Sequence, residues 1–421
     1  EQGLVDGCFT PDTFDREVDA FVDAVATQGG RTSHPPRPAA PSCGLDEIRT
    51  RTNDRIRRLP PAYRELYATC LDLMTAAVTS EGDDGYERES LAAARSALTP
   101  QSRAATPFFF MRQAARTLAL AGCPDVTRRS VAFSASDPGL RALCEELGSS
   151  DGEEAARSAL RLVPYTTGAD PQSLGGRIAV SDRVGNRFDG RQGVVMHAPL
   201  RALGIDVAEV ACDSEAVPEE QALSAALADR YFTVVRTRPR GLFVLDDLLR
   251  AWLMPQIAYL RAGGAPADLA ASLRAFGFMR MPGDWLDGLD SADLCELVLP
   301  GKSEGIEPLD ALLALPRSTC DGGAEDPVVV WALLASLGGF VARALRDRLI
   351  PHVTFADIAA RDVLDFPLQH TSVCRYLTLT RCRELLDNQT AFRRLVPAEN
   401  MSSFETFAAG GRAFYQGHAN R

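Results

Sequence analysis

The stretch DPVVVWALLASLGGFVARALRDRLI, residues 326–350, decides the fold class. A carboxylate before a helix accepts from its first unpaired amides, and proline at the first helical position has its φ already set. Asp326-Pro327 therefore marks a start. From Val328 to Val341 the residues are apolar nearly all round, which predicts a helix with neighbours on every side, the core of a helical lobe. The uncharged run Pro327–Ala342 reads as too short and too glycine-rich for a bilayer span.

Similar signals extend outward. In LDDLLRAWLMPQIAYLR, residues 245–261, Leu245, Leu248, Leu249, Trp252, Leu253, Ile257 and Leu260 follow one helical stripe, and Pro255 is expected to kink it. TFADIAARDVLDF, SVCRYLTLTRCRELLDN and SSFETFAAGGRAFYQG complete a C-terminal helical run. On the N-terminal side, Thr106-Pro107 reads as the cap of FFFMRQAARTLALAG, and Asp137-Pro138 opens GLRALCEELG. Ser150 and Glu153 form a capping box for EEAARSALRLV. Between residues 176 and 240, GRIAVSDRV, GVVMHAP, DVAEVAC and YFTVVRTRP are short, β-branched and broken by glycine and proline, so they read as strands or extended loops.

The expected architecture is mainly α. Two helical lobes, residues 45–175 and 241–421, flank a small β or extended segment at 176–240, and residues 1–44 form an N-terminal arm. In the arm, Phe14, Val18, Phe21, Val22 and Val25 lie on one stripe of an acidic helix within residues 1–27. The following QGGRTSHPPRPAAPSCG, residues 28–44, favours extended polyproline geometry. A short helix on such a tether suits docking on a neighbouring subunit through Phe14, Val18 and Phe21; a mobile terminus is the plainer alternative.

Composition narrows the function. The chain of 421 residues carries a formal charge of −11, which argues against coating nucleic acid by bulk charge. Lys302 is the sole lysine, so every other basic side chain is arginine. Codon bias in a GC-rich genome explains most of that, although arginine also grips carboxylate and phosphate bidentately. Ten cysteines are scattered with no CxxC, which suggests free, buried thiols and a reducing compartment. Glu1 to Phe9 has neither the basic nor the apolar region of a signal peptide, so no leader and no membrane partner are expected.

Catalytic signatures are missing. No G-x-S-x-G, H-E-x-x-H or G-x-G-x-x-G occurs, and LPGKSEG has Glu296 where a P-loop needs its first glycine. The histidines, at 34, 197, 352, 370 and 418, show no helical ligand spacing. Asp246-Asp247 adjoins a helix start, where carboxylates suit the macrodipole anyway. The reading is therefore a non-enzyme with no metal or cofactor. What remains is arginine: Arg177, Arg183, Arg187 and Arg191 in a glycine-rich segment, Arg236, Arg238 and Arg240 in alternation, and Arg343 and Arg346 near one helix face. These nine are candidates for contact with RNA phosphates or with a neighbouring acidic surface.

Absence of chemistry, a tethered arm and distributed arginines together suggest a virus structural protein, a capsid or nucleocapsid subunit that assembles around RNA in the virion. The segment SSFETFAAGGRAFYQGH loosely resembles the aromatic and small-residue C-terminal region in nucleoproteins of non-segmented negative-strand RNA viruses such as the bornaviruses. Length and helical character are similar to capsid proteins of partitivirus-like double-stranded RNA viruses, whose shells enclose a duplex without basic tails. The resemblance implies self-association and host cytoplasm or nucleus, but transfers no site residue. Two alternatives stay open: a tegument or scaffold protein of a GC-rich DNA virus, and a bacterial enzyme with an arginine-lined phosphate pocket.

Overall fold

A computed structural model describes residues 44–57, 61–79, 84–119, 133–135, 160–165, 177–188, 193–203, 205–212, 218–229, 233–285, 291–298, 307–313, 324–411 and 414–415, with Ala20, Leu140, Leu143 and Leu289 individually. The chain is mainly α. Four helices come first, α1 (Leu45–Arg57), α2 (Pro61–Thr79), α3 (Asp84–Ala97) and α4 (Pro100–Ala119). Strands β1 (Phe133–Ala135), β2 (Leu160–Pro164), β3 (Arg177–Ser181), β4 (Arg187–Phe188), β5 (Val194–His197) and β6 (Val207–Cys212) follow. After α5 (Pro218–Asp229) come β7 (Thr233–Thr237) and β8 (Gly241–Leu242). The rest is helical: α6 (Val244–Arg261), α7 (Pro266–Phe276), α8 (Pro282–Trp285), α9 (Ser291–Val298), α10 (Glu307–Leu313), α11 (Pro327–Arg346), α12 (Val353–Leu364), α13 (Val373–Tyr376), α14 (Leu379–Asp387), α15 (Gln389–Phe392) and α16 (Ala398–Ala409).

The strands form a real sheet, in the order β1-β2-β3-β5-β6-β7. Pairing is parallel from β1 to β5, antiparallel between β5 and β6, and parallel again between β6 and β7 across the α5 crossover. Both faces are covered. Ile178, Val180, Val194, Met196, Ala208 and Val210 pack on one side against Leu143, Leu223 and Leu227. Ala179, Val195 and Ala211 pack on the other against Phe188 and Phe243. Two-sided burial is why DVAEVAC and GVVMHAP read as nearly continuous apolar runs.

The main core is helical and is built around α11. Asp326 caps it by accepting from the Val328 amide at 2.9 Å, as the Asp-Pro pair implies. By length and composition α11 would pass as a membrane span, but 67% of its most apolar window is buried inside the protein. It packs against α6 and α16. Gly338 and Gly339 permit the second contact, because a Cβ on Gly339 would lie 1.9 Å from the Asn400 carbonyl oxygen of α16.

Several local expectations are corrected. Leu160–Val163, placed by sequence at the end of a capped helix, belongs to strand β2, which pairs with β1 and β3; Ser150 and Glu153 of the capping box lie outside the described residues. Helix α4 begins at Pro100, where Thr99 accepts from the Ser102 amide at 3.2 Å, and Pro107 lies inside it. The Thr-Pro signature thus occurs twice, and the earlier one starts the helix. Pro255 lies inside α6, which runs through to Arg261 as the apolar stripe implies. The 372–388 run divides into α13 and α14, each with its own hydroxyl cap, Ser372 and Thr378.

Candidate functional site

Most of the candidate arginines meet carboxylates of their own chain. Arg183 grips Asp293 of α9 with two bonds of 2.9 and 2.6 Å. Arg236 and Arg238 share Glu220 of α5, a fully buried carboxylate, at 2.9 Å and at 3.0 and 3.1 Å. Arg343 holds Asp247 at 2.6 Å, and Arg346 holds Asp347 at 2.9 Å. Arg187 and Arg240 are exposed and make no ion pair among the described residues. The β4–β8 ladder pairs Phe188 with Gly241, so these two arginines flank one rung. Arg177 opens β3, but its side chain lies outside the described set, as do Arg191, Phe14, Val18 and Phe21 altogether.

The sheet and α6 enclose a polar centre that the sequence reading passed over. Register places Ser181, His197 and Glu209 in one row across β3, β5 and β6. His197 Nδ1 is 2.9 Å from Ser181 Oγ, and Nε2 is 3.0 Å from Asp246 Oδ1 in the first turn of α6. Asp246 Oδ2 accepts from the Gly185 amide at 2.9 Å, and Asn186 donates to Ser181 Oγ at 2.9 Å. Nε2 faces a carboxylate oxygen and donates to it, and Nδ1 and Ser181 Oγ share the second hydrogen bond of the ring.

Ser, His and Asp in this order have the connectivity of a nucleophile, a base and its orienting group. Access is what is missing. Ser181, His197 and Asp246 are at most 1% exposed, and the Phe243 ring stacks on the imidazole at 4.0 Å. In this closed form the centre acts as a clamp joining β3, β5 and α6. Glu209 extends it, accepting from the Val244 and Leu245 amides at 2.9 and 2.8 Å and from the Thr237 hydroxyl at 2.6 Å. A carboxylate here satisfies two orphan amides and complements the dipole of α6. Burial raises the Glu209 pKa above the usual carboxylate range, while His197 and these donors pull it back.

A second buried carboxylate anchors the C-terminal side. Asp357 of α12 accepts from Ser372 Oγ and the Cys374 amide at 2.9 Å each, and from the Tyr415 hydroxyl at 2.6 Å. Burial raises its pKa, and burial with the Asp357 charge raises those of Cys374 and Tyr415. Among the described residues no group of three or more His, Cys, Asp or Glu is placed to hold a metal.

The outer surface is uneven. The large hydrophobic side chains that stand exposed among the described residues all lie on α1–α4 or just after α3: Ile48, Leu66, Tyr67, Met74, Tyr86, Leu91, Leu98, Phe109 and Phe110. Met74 is 69% exposed, Tyr86 72% and Phe110 62%. Two cavities open elsewhere. One, of about 350 Å³, is lined by Arg112, Arg280 and Arg361 against Asp206, Asp362 and Asp365, so its formal charges balance. The other, of about 360 Å³, lies at the head of α11 between Phe276, Trp331 and Tyr376. The candidate arginines line neither cavity. No protein-family model matches this sequence, and no curated protein matches it.

Proposed function

We propose that the chain is a self-assembling structural subunit, a coat protein of the capsid or nucleocapsid type, whose copies join through the apolar surface of α1–α4. One observation carries this reading: among the described residues, the exposed large hydrophobic side chains are confined to that surface. A chain that works alone rarely shows so many large apolar side chains on neighbouring helices, and such patches mark docking sites. In this reading two helical lobes flank the sheet, and α1–α4 present the docking face of the first.

The occupant we assign to that face is the Phe14, Val18, Phe21 stripe of a neighbouring copy, with residues 28–44 as the bridge. Charge is compatible with the match: residues 1–27 are acidic, and α1 exposes Arg55 beside Arg49, Arg51 and Arg57, whose solvent-exposed pairs with Asp72, Glu47 and Asp54 are weak enough to exchange partners. RNA contact is narrower than the sequence expectation. Arg183, Arg236, Arg238, Arg343 and Arg346 already have carboxylate partners, which leaves Arg187 and Arg240 as the exposed pair available to phosphate.

Size-exclusion chromatography with light scattering tests the reading. The wild-type chain should form a large particle, while F109S/F110S and a deletion of residues 1–44 should give folded, small species. A monomeric wild type, or unchanged particles from both variants, refutes it. The ratio of absorbance at 260 and 280 nm reports nucleic acid in the same fractions. For single-stranded RNA, R187Q/R240Q should flatten the slope of log affinity against log salt by about 0.7 per lost phosphate contact.

A further inference from the structure

We propose that the cavity at the head of α11 is a binding site for a guanidinium cation. Its walls are aromatic: Phe276 from α7, Trp331 from α11 and Tyr376 from α13. The Phe276 and Tyr376 rings meet edge-on, centroids 5.4 Å apart at 89°, and Trp331 is braced by Phe392 at 6.5 Å. Its rim is anionic, with Glu325 and Asp326 in the lining and no cationic side chain there.

The carboxylates are positioned rather than neutralised. Asp326 is fixed as the α11 cap, and its amide donates to Ser272 Oγ at 2.7 Å. Asp268 stands close by, accepting from the Ala324 amide at 2.8 Å. Among the described residues neither these two nor Glu325 has a Lys, Arg or His partner. Tyr259 hydrogen-bonds Asp326, and burial, the Asp326 and Asp268 charges and that bond together raise the Tyr259 pKa. Arg381 reaches the Tyr376 ring, 5.5 Å from its centroid, but Glu384 holds it at 2.7 Å and it does not line the cavity.

An aromatic box with carboxylates at its edge selects a cation that is flat, weakly hydrated and able to donate in its own plane. Guanidinium meets all three conditions: it stacks on ring faces and bonds carboxylates bidentately. An ammonium costs more to dehydrate, and a tetraalkylammonium has no donor for Glu325 or Asp326. The volume falls within the roughly 300–1,000 Å³ of small-ligand sites. The site stands whether or not the chain assembles.

The test uses the full chain and N-acetylarginine methylamide as probe, followed by calorimetry and by tryptophan fluorescence with W331F as reference. Saturable binding is expected, at least about tenfold weaker in E325Q/D326N, in which the asparagine side chain replacing Asp326 can still cap α11. N-acetyllysine methylamide and tetramethylammonium should bind at least about tenfold more weakly. No saturable binding, binding unchanged in the double variant, or equal binding of the lysine probe overturns the proposal. Particle mass with and without saturating probe separates the two sources of the group. Dissociation assigns an arginine side chain of a second copy, and an unchanged mass assigns a free guanidinium compound.

Discussion

Substituting Gly339 by alanine isolates the packing on which the helical core depends. An added Cβ would sit 1.9 Å from the Asn400 carbonyl oxygen and 2.6 Å from its carbon, about 1 Å inside the closest distance real Cβ atoms tolerate. Both atoms belong to the α16 backbone, so relief requires moving a helix rather than turning a side chain. Overpacking of that kind costs about 1–3 kcal/mol. Displacing α16 also strains the 3.2 Å bond from Asn400 to Ser336, worth about 1 kcal/mol. Against this, alanine in a helix interior gains about 1 kcal/mol over glycine. The net expectation is a loss of roughly 1–3 kcal/mol, the overpacking term surviving while the other two cancel. Gly338 provides the contrast. A Cβ there meets Leu377 Cδ1 at 2.7 Å and Phe404 at 3.2 Å, both movable side-chain atoms. Gly338→Ala should therefore stay within about 1 kcal/mol of wild type. Urea unfolding followed by circular dichroism at fixed protein concentration compares the two midpoints. Equal midpoints for both variants, or a stabilised Gly339→Ala, would refute the close-approach argument.

Glu209→Gln keeps the shape of the buried side chain but leaves one amide of α6 facing a donor, so it should cost about 2–4 kcal/mol, read as a lower urea midpoint. Thr237→Val removes only one donor to Glu209 and should cost less, in the same assay. The pH response of Asp357 has a definite sign. Its raised pKa means the folded state holds a proton longer than the unfolded chain, so this group's stabilisation is present below about pH 4 and lost as pH rises through the folded value. The stability gap between wild type and Asp357→Asn should accordingly be wider at pH 4 than at pH 7. His370 acts in the opposite direction, because burial lowers its pKa below 6.5 while its Nε2 donates to the Phe276 carbonyl. Its contribution falls as pH drops below 6.5, and His370→Gln should make unfolding less sensitive to acid between pH 6.5 and 5. Thermal midpoints across that range decide; an identical pH slope in wild type and variant would count against the assignment.

Local chemistry is legible in this sequence wherever a signal is complete within one turn. Asp326-Pro327 specifies the start of α11, and the uninterrupted apolar run after it specifies a core helix, because capping and all-round burial need only adjacent residues. The strands β3, β5, β6 and β7 were equally readable, since β-branched runs bounded by glycine and proline are short-range patterns. The sheet they form was not. Leu160–Val163 follows a helix signal in the sequence and pairs as a strand with β1 and β3, partners that appear only once distant segments meet. The same applies to Asp246. At a helix start it looks like a dipole residue, yet its neighbours in space, His197 and Gly185, are 49 and 61 residues away along the chain. Arginine shows the limit most plainly. Sequence supplied the clusters, and only the fold decided that Arg183, Arg236, Arg238 and Arg343 face Asp293, Glu220 and Asp247 while Arg187 and Arg240 stay open to solvent. Composition counts charges, whereas the pairing of a charge depends on which surfaces the backbone brings within about 4 Å.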